Sequence, residues 1–207
     1  ANDAFFGESR DHWRDYGKPQ RQTSLIVDPP DGLLPGNDRF SQELGAALAG
    51  VLAAMDGDEQ RPAPERCIGS QTVQPPILSI RNGVNLHQIL QTKDAFVFMS
   101  EFIGATRVIR LNAAPLHAAI TSWLGDSIGR WEGNALVVQT RGFTPSDRLR
   151  AAGGNNSFLV SPQTVVTERF VRSAPERIGY SFTLDDSSYY TPPWTADSHF
   201  IRRDERI

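Results

Sequence analysis

Thr164-Val165-Val166-Thr167-Glu168-Arg169-Phe170-Val171-Arg172-Ser173, then Arg177-Ile178-Gly179-Tyr180-Ser181-Phe182-Thr183-Leu184-Asp185, with Pro175-Glu176 at the break, is the stretch that decides the fold class. Two runs rich in β-branched and aromatic residues, separated by a turn pair, read as an antiparallel hairpin. The same pattern recurs from residue 85 onward in Leu86 to Thr92, Ala95 to Phe102, Thr106 to Leu111, Ala135 to Gly142 and Thr195 to Arg202. Lys93-Asp94, Gly104 and Pro192-Pro193 are further breaks. A meander of this length leaves two exposed edges unless it curls. The expected fold is therefore mainly β: an antiparallel meander closing into a barrel or strongly rolled, lipocalin-like sheet, with a two-sheet sandwich as the alternative. Thr144 to Pro162, with Gly153-Gly154-Asn155-Asn156, reads as a long loop lying over the mouth of such a barrel.

Upstream of this body, residues 1–39 mix Pro, Gly and charge with short apolar pieces and read as an extended arm. Within it, Leu25-Ile26-Val27 followed by Asp28-Pro29-Pro30-Asp31-Gly32 predicts a brief strand closed by a turn. Phe40, Leu44, Leu48, Val51 and Met55 recur at helical spacing, so a helix is expected over 40–56, capped by Asn37 or Asp38 and ended by Asp56-Gly57. Gly45 and Gly50 weaken it by about 1 kcal/mol each relative to Ala, which leaves packing to hold it. Residues 57–83, with four prolines, read as a connector, and the whole chain of 207 residues as one domain with its β body over 85–207.

Composition excludes several classes. With 39% hydrophobic and 22% charged residues the chain can build an ordinary core. A net charge of −3 gives no general attraction for phosphate backbones, so nucleic acid is not an expected partner. The longest apolar candidate, Leu44 to Met55, is too short for the roughly 20 residues of a membrane-spanning helix. Cys67 is the one cysteine and reads as either a buried inert thiol or, beside Arg66, a reactive one. The opening Ala1-Asn2-Asp3-Ala4, without Met, fits a chain cut from a signal peptide and hence a periplasmic or secreted protein.

No GxSxG elbow, HExxH, paired CxxC, Walker loop or helix-opening GxGxxG occurs. His12, His87, His117 and His199 are too widely spaced to pair on one metal by sequence proximity, and neither a metal nor a cofactor is expected. Chemistry must then come from charges placed by the strands. In Ala95 to Phe102 and Val165 to Val171 both faces are largely apolar, and Glu101, Glu168 and Arg169 sit among apolar neighbours, as does Arg107. Such charges are expected to be buried and paired, since an unpaired one would cost several kcal/mol.

The run Trp123-Leu124-Gly125-Asp126-Ser127-Ile128-Gly129-Arg130-Trp131-Glu132-Gly133 admits two readings. In one it is a tight turn with Gly125, Gly129 and Gly133 at positive φ, pinned by Asp126 or Glu132 on Arg130. In the other, Trp123 and Trp131 line a pocket and an acid beside them has its pKa raised. Tyr189-Tyr190-Thr191-Pro192-Pro193-Trp194 is a second aromatic group, equally suited to core packing and to an aromatic or glycan partner.

Together with Thr23 to Gly32, Glu65-Arg66-Cys67-Ile68, Gln88 to Thr92, Glu101 with Arg107, Glu168-Arg169-Phe170 and Pro193-Trp194-Thr195, that Trp-Gly-Asp run resembles a group of uncharacterised, often exported bacterial proteins. The resemblance covers most of residues 23–205 and implies a shared fold and export, with no activity to carry over. It departs at Gly104-Ala105, where the group tends to carry His-Asp. The group also continues past the position of Ile207 into a tail with a second cysteine, which implies a partner for Cys67 beyond this sequence.

The functional expectation is an enzyme without cofactor, of lyase, isomerase or hydratase type, moving a proton on a hydrophobic or aromatic substrate in the barrel. Glu101 or Asp126 would take the proton, His117 would return it, and Arg107 or Arg130 would stabilise the developing charge. Trp123, Trp131, Tyr190, Trp194 and Glu168 would bind the substrate. The alternative is a non-catalytic, exported carrier of a lipid or aromatic compound, in which the same charges lock the barrel. A third reading is an interaction protein whose N-terminal arm docks on a second subunit.

Overall fold

The structure, a computed structural model, describes residues 24–52, 57, 66, 68, 73–78, 86–101, 105–146, 148–151 and 157–202. These form one helix, α1 (Asp38–Leu52), and eleven strands: β1 (Ile26–Asp28), β2 (His87–Gln91), β3 (Ala95–Ser100), β4 (Thr106–Leu111), β5 (Asp126–Glu132), β6 (Ala135–Arg141), β7 (Leu149–Ala151), β8 (Ser157–Leu159), β9 (Val165–Ala174), β10 (Arg177–Asp185) and β11 (Trp194–Ile201). Nine pair in one sheet in the order β1-β11-β10-β9-β6-β5-β4-β3-β2, and β7 with β8 makes a small second sheet. The expected meander is present in β2-β3-β4, β5-β6 and β9-β10-β11, all antiparallel.

Three strands depart from the sequence expectation. β7 and β8 lie inside the stretch read as a loop. β5 occupies the stretch read as a turn, and it joins β4 in parallel through only Arg110↔Ile128 and Leu111↔Gly129. The reason is visible at Gly129. Gly125 and Gly133 do take positive φ, +69° and +63°, but Gly129 is a buried strand residue. A Cβ there would stand 2.9 Å from Ile109 Cγ2 and 3.0 Å from Leu111 Cδ2, so glycine is present to let β4 and β6 side chains close over β5.

The nine-stranded sheet is strongly rolled. Phe98 on β3 and Phe200 on β11 are six strand steps apart, about 29 Å in a flat sheet. Their ring centroids lie 6.1 Å apart, and His87 of the end strand β2 is 5.8 Å from the same Phe200. Even so, β1 and β2 remain two ends of an open order, with no ladder joining them among the described residues. Twist and roll bring inward side chains together without closing the hydrogen-bond ring.

The concave side is filled rather than empty at its middle. Inward residues in register across β6, β9 and β10 include Leu136, Phe170 and Tyr180 in one row and Val138, Glu168 and Phe182 in the next. Residues 73–78, within the expected connector, are buried as well, and Val73, Ile77 and Leu78 join the core. A buried irregular segment must satisfy its backbone donors. Pro75 and Pro76 have none, and Ile77 N–H donates to Tyr180 Oη at 2.8 Å.

One end of the roll is capped. Phe158 of β8 stands edge-on to Trp194 at 5.7 Å, and Phe40 of α1 lies 5.3 Å from Tyr190. Tyr190 Oη donates to Leu159 O (2.8 Å) and accepts from Leu159 N–H (2.9 Å), which fixes β8 over the core. The arm reaches this end too: β1 pairs with β11, and Asn37 N–H donates to Tyr189 O at 2.9 Å. Asn37 is the helix cap, its Oδ1 accepting from Phe40 N–H at 2.9 Å. Of the expected helical stripe Phe40 is buried, Leu44 half-buried and Leu48 exposed, so α1 is held mainly by its first turns. Met55 and Cys67 lie outside the described residues.

Candidate functional site

Arg107 of β4 and Glu168 of β9 meet inside the roll, with side chains 1% and 0% exposed. Arg107 Nη1 donates to Glu168 Oε1 at 3.0 Å and Nη2 to Oε2, a two-pronged pairing. Two further donors are used: Nε to Ser127 Oγ at 3.1 Å and Nη2 to Thr140 Oγ1 at 2.9 Å. Ser127 and Thr140 bond one another at 3.0 Å, and Tyr180 Oη donates to Glu168 Oε1 at 2.9 Å. Burial first, and then the neighbouring Glu168 charge, push the Tyr180 hydroxyl well above its ordinary pKa, so it stays a donor. The five side chains and Ile77 form a satisfied polar island in an aromatic core.

The other charges singled out by the sequence lie elsewhere. Asp126, at the start of β5, accepts from Arg110 Nη2 at 2.7 and 3.0 Å and from Leu116 N–H at 2.9 Å. It pins the crossover loop between β4 and β5. Arg130 points to the outer face and pairs with Glu132, as the turn reading expected, at 2.7 Å. Glu101 is exposed at the end of β3, its Oε1 accepting from Leu86 N–H at 3.2 Å. His117 is an exposed loop residue whose Nδ1 accepts from Ala119 N–H at 3.2 Å. Arg169, expected to be buried, is exposed. Inside the roll only Arg107 and Glu168 of these groups are brought together, while Arg130 and Arg169 share Glu132 on the outer face.

The expected aromatic residues divide in the same way. Tyr190 and Trp194 are core residues at the capped end; Trp194 Nε1 is buried without a hydrogen-bond partner among the described residues. Trp123 is half-buried in the turn before β5. Trp131 is on the inward face of β5, in register with Leu136, Phe170, Tyr180 and Ser198, yet 44% exposed. The stack behind it was missed by sequence reading: Phe98 lies 5.2 Å from Phe170, Phe170 4.9 Å from Tyr180, and Tyr180 5.6 Å from Phe200. The signal for it was the alternation Phe96-Val97-Phe98 and Tyr180-Ser181-Phe182, which put rings on one face of each strand. Phe200 and His87 are half-buried, so this end of the stack meets solvent.

A third polar group ties α1 to the body. Glu43 accepts from Arg39 Nε (2.7 Å), Arg148 Nη1 (2.6 Å) and Tyr189 Oη (2.7 Å). The bond from Arg39 is the leading cause that lowers the Glu43 pKa, with the Tyr189 bond next. Among the described residues no three His, Cys, Asp or Glu side chains converge as a metal site would require. No described helix is long and apolar enough to cross a membrane. No family model, no curated protein and no solved structure matches the chain.

Proposed function

We propose that the protein is a lipocalin-like binding module, exported from the cell, that carries a small hydrophobic or aromatic molecule at the open end of its rolled sheet. What carries this reading is the aromatic stack from Phe98 through Phe170 and Tyr180 to Phe200, which continues from Tyr180 through Phe182 to Trp194 under Phe158 and Tyr190 at the capped end but reaches solvent near His87, Phe200 and Trp131. The middle of the roll is occupied by residues 73–78 and the Arg107–Glu168 pair, which puts the ligand against the rim. Flat rings and few polar groups favour an apolar, planar partner.

The charges support carriage over proton transfer. A catalytic base must stand within hydrogen-bond reach of the proton it removes. Glu168 is fully engaged, Asp126 is tied to Arg110 and Leu116, and Glu101 and His117 are exposed on separate elements. The test is fluorescence titration with a panel of apolar aromatic probes, alongside native mass spectrometry of gently purified protein. Saturable binding of at least one probe, weakened at least tenfold by Trp131→Ala, is expected. No saturable binding, or binding indifferent to Trp131, overturns the reading.

A further inference from the structure

The outer face of the sheet carries a second constellation. Arg130 of β5, Val137 of β6, Arg169 of β9 and Ser181 of β10 lie in one cross-strand row. The two arginines are two strands apart, about 10 Å between Cα atoms, with the short side chain of Val137 between them. Glu132 occupies the gap: its Oε1 accepts from Arg130 Nε at 2.9 Å and its Oε2 from Arg169 Nη1 at 3.3 Å. All three charged side chains are 44% to 59% exposed. Alongside runs a groove of about 200 Å³ whose wall beyond Arg169 is made by Thr167, Ser181 and Thr183.

We propose that this groove binds a small hydroxylated carboxylate of the sugar-acid class. Within this triad two guanidinium groups share one carboxylate, and among the described residues the side-chain hydrogen bond of Arg169 is the long one to Glu132. Glu132 acts as a tethered stand-in for the ligand, holding a planar carboxylate between two planar forks. The hydroxyls are placed for the rest of such a molecule. Ser181 is directly opposite Arg169 and Thr167 is two residues along β9 on the same face, separations of about 5 Å and 7 Å. Thr183, opposite Thr167, already bonds Thr195 at 3.1 Å and still offers lone pairs. The volume is below the roughly 300–1,000 Å³ of drug-sized pockets, which limits the occupant to about one sugar ring.

The experiment is an NMR titration of the wild type, Arg169→Gln and Glu132→Gln with glucuronate, glucose and inorganic phosphate, with far-UV circular dichroism confirming that each variant is folded. Glucuronate is expected to shift amides of β5, β6, β9 and β10 saturably, glucose to leave them unmoved, and phosphate to bind at least tenfold more weakly. Glu132→Gln removes the internal competitor and is expected to tighten glucuronate several-fold, while Arg169→Gln abolishes binding. Glucuronate no better than glucose in both wild type and Glu132→Gln, phosphate equal to glucuronate, or binding unchanged in Arg169→Gln overturns the proposal. Trp131→Ala leaves this titration unchanged, which separates it from the rim site.

Discussion

Glu168→Gln removes the charge partner of Arg107 while keeping nearly the same shape. The guanidinium would remain 1% exposed, bonded to Ser127 and Thr140 but without a counter-charge. Breaking a buried pair from one side costs about 3–5 kcal/mol, because the surviving ion stays desolvated. Against a total stability of about 5–15 kcal/mol that is a large share. Exposed pairs cost about 0–1 kcal/mol to break, so the magnitude itself reports burial. The assay is urea unfolding followed by near-UV circular dichroism. With an m-value of about 2 kcal/mol/M, the midpoint should fall by about 1.5–2.5 M. The double variant Arg107→Met with Glu168→Leu should recover most of that loss, since apolar replacements of a buried pair are often neutral or better. A Glu168→Gln midpoint within about 0.5 M of wild type would refute the reasoning.

Gly129→Ala should destabilise by about 1–3 kcal/mol, because its Cβ meets Ile109, Leu111 and Leu136 side chains within 3.2 Å; this lowers the melting temperature by about 2–4 °C per kcal/mol. Tyr190→Phe leaves both Leu159 N–H and C=O without their buried partner and should cost about 2–4 kcal/mol by the same melt; a loss below about 1 kcal/mol would mean water replaces the hydroxyl. Asp126→Asn should speed hydrogen exchange at the Leu116 amide while sparing β9 and β10, and uniform exchange across both regions would argue against a local clamp. Burial raises the pKa of Tyr180 and Tyr190 in the folded chain. Their contribution is present in full below about pH 10, the unfolded value, and is lost as pH rises beyond it, so phenolate absorbance should appear together with alkaline unfolding rather than before it.

Much of the sheet was legible because period-2 alternation survives in β3, β4, β9 and β10. Alternation identifies residues that share a face without saying which face is inside. That is why Glu101 and Arg169 resembled Glu168 in sequence: Met99, a same-face neighbour of Glu101, is itself exposed, whereas the neighbours of Glu168 face the core. The partnership of Arg107 with Glu168 spans 61 positions and depends on how far the sheet curls, which no local pattern encodes. β5 was hidden by its glycines, read as a turn although Gly129 is a packing residue. Gly153-Gly154-Asn155-Asn156 similarly masked the short β7 and β8. The expected hollow with projecting charges became a filled middle because residues 73–78, carrying two prolines without donors, could be buried at little backbone cost.

The curl of the nine-stranded sheet underlies both the buried pair and the solvent-facing end of the aromatic stack. An aromatic NOESY spectrum on selectively labelled protein reads it directly. Cross-peaks linking Phe200 of β11 to Phe98 of β3 and to His87 of β2 are expected from ring separations of 6.1 and 5.8 Å. Their absence, with the β9-β10-β11 cross-peaks intact, would mean an unrolled sheet and contradict the account.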